Sequence, residues 1–323
     1  MRFVILGAGA VGGVIGGRLH QAGYAVTLIA RGEHLEMIRS AGLRLDDAGG
    51  STTLAVDSAG HPDEITWHTD DVVLLTTKSQ HTEAALAELA AVAPAGLPVI
   101  CAQNGVANER MALRRFDNVY GMVVMLPALH LEPGVVVAHS APTTGMLDLG
   151  RYPEGVDSVA ADVASVLSEA TFSSLALADI MGWKYRKLVM NLGNAVQAIC
   201  GRVASGSEIV QRARDEGERV LEAAGISVIG RAEERDRRGA YLQIHEVDGA
   251  PRGGGSSWQS LARRTGTIEA DYFNGEIALL GRLHGVPAPV NSLLQRLANQ
   301  QAARRASPGA ISHEELLAML PGQ

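Results

Sequence analysis

The stretch "FVILGAGAVG", Phe3 to Gly12, decides the fold. A short apolar run breaks into glycines at 7, 9 and 12, with Ala8, Ala10 and Val11 between them, and a helical pattern follows over residues 11–22. In a G-x-G-x-x-G turn the first glycine permits the tight bend and the second lets backbone amides approach a pyrophosphate. The third allows helix and strand to pack closely. A strand before the motif and a helix after it make the spacing specific. It reads as the first βα turn of a dinucleotide-binding sheet, with Gly7, Ala8, Gly9, Ala10, Val11 and Gly12 against the cofactor.

Working outward, β-rich runs alternate with helical ones. "AVTLIA" precedes a helix over 33–41, "DVVLLTT" a helix within "HTEAALAELAAV", and "PVICA" a shorter helix over 107–113. Such alternation specifies a parallel sheet with helices on both faces. "GVVVAHS" and "TGMLDLG" add strands late in this half, and from Ile180 onward helical patterns take over. The expected architecture is α/β: an N-terminal Rossmann-type doubly wound parallel sheet over 1–175, then an all-helical C-terminal domain over 176–323. Within the second half, "RGGG" at 252–255 reads as a break with Ser256 or Ser257 capping the next helix, and the Ala- and Arg-rich tail after Ala302 reads as fraying.

Composition narrows the function. With 323 residues and 46% hydrophobic content the chain can fill two cores. A formal net charge of -7 argues against a nucleic-acid or anionic-membrane surface and for a small-molecule partner. No apolar run approaches the roughly 20 residues of a membrane span. Two cysteines, Cys101 and Cys200, in apolar surroundings suit a reducing, cytoplasmic setting. His81, His130, His139 and His245 show no metal-ligand spacing, so no metal site is expected.

Three polar features stand out against this apolar background. Arg31 ends the second strand, where an NAD-preferring site usually places an acid for the ribose hydroxyls. A guanidinium there suits the 2′-phosphate of NADP. Lys78 ends "VVLLTTK" at the C-terminal edge of the sheet and points to the same crevice. In "KYRKLVMNLGNAVQ", 184–197, Lys187, Asn191 and Asn194 fall four and three residues apart, on one face of a helix that is otherwise apolar.

Together these motifs resemble the ketopantoate reductase (2-dehydropantoate 2-reductase) family along nearly the whole chain: "GAGAVG", Arg31, "TTKSQ" at 76–80, "QNG" at 103–105, "YRKLVMN" at 185–191, "SSWQSL…TIEADYFNG" at 256–275 and "HGVPAPVN" at 284–291. The resemblance implies NADPH-dependent reduction of ketopantoate to pantoate, in pantothenate biosynthesis. It implies Lys187 as general acid with Glu269 in support, Asn104 near nicotinamide and substrate, and Asn191 and Ser257 on the substrate's polar groups. The polar stripe would then line a cleft. The chemistry agrees, because hydride arriving at a carbonyl carbon leaves charge on oxygen that an ammonium can stabilise and protonate. Lys187 suits that task, Asn191 a substrate hydroxyl or carboxylate, and Glu269 the orientation of the ammonium.

Two departures bear on substrate. Relatives commonly carry a second asparagine eight residues after the lysine, where this chain has Ala195, and often an acid where Leu261 stands. A related reductase of another 2-oxo acid or of an imine, as in opine dehydrogenases, is therefore an alternative, as is a catalytically weak NADP(H)-binding protein. A long helical second domain is also compatible with a homodimer.

Overall fold

In the computed structural model, residues 1–201, 206–247 and 254–320 are described. Of the glycine run at 252–255, residues 252 and 253 lie outside them. The chain forms two compact units: Met1–Lys184 with Ala232–Arg252, and Tyr185–Arg231 with Gly253–Gln323.

The first unit contains strands β1 (Arg2–Leu6), β2 (Ala25–Ile29), β3 (Leu43–Asp47), β4 (Gly50–Leu54), β5 (Asp57–Ala59), β6 (Asp71–Leu75), β7 (Pro98–Cys101), β8 (Asn118–Met125), β9 (Ala128–Leu129), β10 (Val135–Ala138), β11 (Gly145–Arg151) and β12 (Phe172–Ser173). Helices α1 (Ala10–Gln21), α2 (Gly32–Ala41), α3 (Thr82–Ala90), α4 (Asn108–Leu113) and α5 (Ser158–Glu169) connect them. The main sheet has eight strands in the order β12-β11-β8-β7-β6-β1-β2-β5. β1 pairs parallel with β2 on one side and β6 on the other, so the chain reverses its winding there. Open α/β sheets place ligands at such a switch point.

Strand burial explains the two-sided covering. Phe3, Ile5, Leu28, Val72 and Leu74 face Val14, Ile15 and Leu19 of α1 and Val163 and Leu167 of α5 in one core. The alternate residues Val4, Leu6, Ile29, Val73 and Leu75 face Ala85, Leu86 and Leu89 of α3 in another. The period of two carries apolar side chains to both faces, and each face takes a helical layer. The sheet is not wholly parallel: β11 runs antiparallel to β8, a pairing that needs no crossover helix. "GVVVAHS" supplies β10 to a separate four-stranded sheet, β4-β3-β10-β9, and not to the main one.

Segment 232–247 follows the helical half in sequence yet clusters with the first unit. Arg237 donates to both carboxylate oxygens of buried Asp148 on β11, at 2.5 and 3.0 Å, and to Ser173 at 3.0 Å. The His245 amide donates to the His139 carbonyl at 2.7 Å.

Helix α6 (Ile180–Asn191) crosses from one unit's residues to the other's. The second unit continues with α7 (Asn194–Cys200), α8 (Glu208–Ala223), then, past α9 (Arg231–Arg238), α10 (Ser256–Ala262), α11 (Asn274–His284), α12 (Pro289–Ala303) and α13 (His313–Ala318). The tail does not fray over its described length. Ser312 and Glu315 form a capping box at the start of α13, buried Leu316 anchors it, and the Gly309 and Ile311 amides bond to α7 carbonyls. No described helix is long and apolar enough to cross a membrane.

At the switch point α1 lies against β1 and β6 so closely that a Cβ on Gly12 would meet the Gly7 carbonyl and the Thr76 hydroxyl, each at 2.4 Å. Backbone cannot yield as a flexible side chain does. Gly12→Ala is expected to lower stability by about 1–3 kcal/mol, the usual cost of overpacking. Urea denaturation reads this directly, and an unchanged midpoint would show that α1 shifts freely.

Candidate active site

The glycine loop offers the features an anion needs. Gly7 takes a positive φ of 111° to make the bend, and Gly9 is the N-cap of α1 with no side chain capping the first amides. No acidic residue occupies the first turn. Nothing lies within 4 Å of where a Cβ on Gly9 would stand, so backbone can approach a ligand there. Free amides and the positive end of the helix dipole together suit a pyrophosphate. On these grounds the loop fits a dinucleotide.

One residue escapes motif reading. His34 of α2 contacts the Ala8 carbonyl through Nε2 at 2.7 Å, and the Gly134 amide donates to its Nδ1 at 2.8 Å. Since an amide can only donate, Nδ1 is bare and Nε2 carries the proton: the ring is locked as one neutral tautomer. Burial pushes its pKa below the ordinary histidine value, against a smaller upward pull from the Ala8 carbonyl. No local pattern marks His34, because both partners are backbone groups distant in sequence.

Arg31 lies just before α2, 65% exposed, and its guanidinium is ion-paired with Glu88 of α3. Lys78 follows β6 and opens the short turn Ser79–His81. Asn104 follows β7, and its carbonyl accepts from the Asn108 side chain at 3.2 Å. A buried polar web joins these two loops. Gln103 donates to the Thr77 carbonyl at 2.7 Å and to the Thr82 hydroxyl at 2.8 Å, and Thr82 donates to Asn108 at 2.8 Å.

Lys184 completes the web. It is 2% exposed, and its ammonium donates to the Gln103 carbonyl at 2.7 Å and the Met122 carbonyl at 3.1 Å. Glu109, fully buried on α4, supplies the counter-charge at 2.7 Å. Breaking such a pair from one side commonly costs about 3–5 kcal/mol, whereas apolar replacement of both partners is often neutral. Cys101 lies beside the pair, and burial, with Glu109 adding, drives its thiol pKa well up.

In the second unit the expected continuous stripe is interrupted. α6 stops at Asn191, and α7 restarts at Asn194 after the turn at Leu192 and Gly193. The Asn274 side chain bonds to the Leu192 carbonyl at 3.1 Å and to Asn291 at 2.9 Å. Buried Glu216 in turn accepts from the Val290 and Asn291 amides, each at 2.9 Å. This network holds the Leu192 carbonyl at the break between the two helices. Ala195 is buried, and the Gln197 amide oxygen is taken up by the Gly255 amide at 2.8 Å. Leu261 is likewise a buried apolar residue.

Neither Ser256 nor Ser257 caps α10; Gly255 holds that place. The serines sit inside the first turn, where the Ser256 hydroxyl donates to buried Glu269 at 3.2 Å and Ser257 is buried. Burial lowers the pKa of nearby Arg263, with the Glu269 charge opposing. The second unit thus brings Glu269 and the serine turn together directly, and carries Lys187 and Asn191 on α6. Among the described residues no group of His, Cys, Asp or Glu is arranged to hold a metal ion.

Comparison with known proteins covers both halves of the chain. Residues 3–154 match the family model for ketopantoate reductase PanE/ApbA, and residues 179–302 match its C-terminal counterpart. The chain is 31% identical to a 2-dehydropantoate 2-reductase from Archaeoglobus fulgidus, covering 92% of this chain and 96% of the relative. It is 29% identical to one from Pyrococcus horikoshii, with the same coverage. The structure is similar to that of a PanE/ApbA family ketopantoate reductase from Ralstonia eutropha JMP134, with TM-score 0.79, 27% identity and coverage of 94% of this chain and 99% of that one. D-mandelate dehydrogenase, solved with NADH and anilino(oxo)acetate, shares the fold at TM-score 0.80 and 23% identity, with the same coverage.

The locked tautomer of His34 has a measurable consequence. Its folded pKa lies below its unfolded value near 6.5, so on acidification through 6.5 the unfolded chain takes up a proton first and stability falls. The slope is at most about 1.4 kcal/mol per pH unit, less what solvent screening removes. His34→Gln is expected to flatten the loss between pH 7.5 and 5.5 in urea denaturation. Identical pH dependence in the two proteins would contradict the assignment.

Proposed function

Since this chain belongs to the ketopantoate reductase PanE/ApbA family and is an oxidoreductase, we propose that it reduces 2-dehydropantoate (ketopantoate) to pantoate with NADPH, a step of pantothenate biosynthesis. The observation that carries this reading is the match of both halves to one reductase family, with Lys187, Glu269 and Asn104 each present at its motif position.

The chemistry a bound nicotinamide supplies is hydride transfer to the keto carbon. The uncapped first turn of α1 and the open approach at Gly9 receive the pyrophosphate, and Arg31 and Lys78 answer the phosphate of the adenosine ribose. To do so Arg31 exchanges Glu88 for the phosphate; an exposed pair of this kind is worth only about 0–1 kcal/mol and gives way readily. Lys187, as an ammonium, hydrogen-bonds the keto oxygen, stabilises the charge that collects there and delivers the proton. Glu269 orients that ammonium and Asn104 positions the reacting carbonyl. Asn191 and Ser257 hold the remaining polar groups of the substrate.

One observation favours a second reading, reduction of a 2-oxo acid less polar than ketopantoate. Ala195 presents a methyl where relatives often offer an amide, and Gln197, two residues on, has its amide oxygen engaged by the Gly255 amide. NADPH oxidation assayed across ketopantoate, pyruvate and branched 2-oxo acids separates the two. Ketopantoate as the best substrate by kcat/KM supports the first reading, and another 2-oxo acid supports the second.

Two substitutions test the roles. Arg31→Asp is expected to weaken NADPH far more than NADH in fluorescence titrations; equal affinity of the wild-type protein for both would sink the phosphate role. Lys187→Ala is expected to lower kcat by roughly 10²–10⁴ fold while NADPH affinity changes little. Near-normal turnover in that variant would assign the proton to another group.

A further inference from the structure

We propose that Lys184, through its ion pair with Glu109, is a positioning residue for the loop that carries Asn104. It stands one helical turn before Lys187 on α6 but has a different task. An ammonium has three hydrogens to donate. Lys184 donates to the Gln103 and Met122 carbonyls, and a Glu109 carboxylate oxygen lies 2.7 Å from its ammonium as the counter-charge. Buried to 2% exposure and held by two carbonyls and a buried carboxylate, Lys184 faces the protein interior and not a ligand.

What those donors hold is specific. Gln103 immediately precedes Asn104, and its carbonyl is pulled toward Lys184 while its side-chain amide is tied to Thr77 and Thr82. Asn108 holds the other side, donating to the Asn104 carbonyl, and Glu109 is the next residue along the same helix. The loop is thus gripped before and after Asn104 by groups that meet at the one ammonium. Met122 on β8 fixes that ammonium to the sheet. A buried pair that served stability alone is replaceable by apolar side chains. This pair also supplies hydrogen bonds to main-chain carbonyls that leucine or methionine cannot make, and without them the loop loses its reference point.

The role assigned to Asn104 rests on the reductase reading above, so the test has an arm that does not depend on it. Lys184→Met with Glu109→Leu removes both charges together and avoids stranding either one. The double variant is expected to keep a cooperative unfolding transition and to bind NADPH within about 3-fold of the wild-type protein, because the glycine loop and Arg31 are untouched. Its kcat for the best 2-oxo acid is expected to fall about 10- to 100-fold, the scale of an ångström-sized misplacement at a reacting centre. Amide hydrogen exchange over residues 102–110 is expected to quicken at least 10-fold. If kcat stays within 2-fold, or exchange in that segment is unchanged, the pair is structural only and the proposal is overturned. Should the wild-type protein reduce none of the oxo acids, the reductase reading fails, and the exchange measurement still decides whether Lys184 holds the loop. Should the double variant not fold, nearly isosteric Glu109→Gln takes its place, with the same two readouts moving the same way by at least 3-fold.

Discussion

The close approach of α1 to β1 and β6 at the switch point is the constraint on which the rest of the first unit depends. The Thr76 hydroxyl donates to the Gly7 carbonyl at 2.7 Å, and there is no room for a side chain at Gly12 between them. This contact aligns the start of α1 with the C-terminal ends of two parallel strands. The uncapped amides of the first turn and the open backbone at Gly9 stand at that alignment, and the loops bearing Arg31 and Lys78 leave the ends of neighbouring strands. The alternating burial of the central strands makes the contact rigid, since each face of the sheet is clamped under its own helices.

Around that hydrophobic frame, placement of the polar loops falls to buried hydrogen bonds. The loops after β6 and β7 are joined through Gln103, Thr82 and Asn108, and the web ends on the Lys184–Glu109 pair. Buried polar groups are costly unless fully satisfied, so a web of this kind tolerates few arrangements. That intolerance gives a loop, otherwise free to move, one defined geometry. The second unit repeats the device. Glu216 caps α12 with its carboxylate, Asn291 and Asn274 pass the connection on, and the Leu192 carbonyl is held at the end of α6. In both units a loop or a helix break is fastened by buried polar side chains.

The sequence by itself determined the architecture and the reductase family. Periodicity is local, and a strand–glycine–helix unit announces itself within a dozen residues, which is why the glycine loop, the alternating βα units and the helical second half were all legible. The family match was legible for the same reason, being an ordered set of short motifs. Lys187, Asn191, Ser257 and Glu269 stood out because each interrupts an apolar or helical pattern, or sits in one of those motifs.

Only the tertiary structure decided where non-local contacts override local pattern. The run from 184 to 197 reads as one helix, yet Asn274, over 80 residues away, holds the Leu192 carbonyl at the point where the helix breaks. Residues 232–247 follow the helical half in the chain, yet Arg237 finds its counter-charge on Asp148 of the sheet. Lys184 looks like one more polar residue beside Lys187, and burial against Glu109 gives it a different role. His34, with backbone partners on two other segments, leaves no trace in its neighbours. In each case the deciding energy is that of a buried charge or hydrogen bond between segments far apart in sequence, and such a term exists only once the chain has closed on itself.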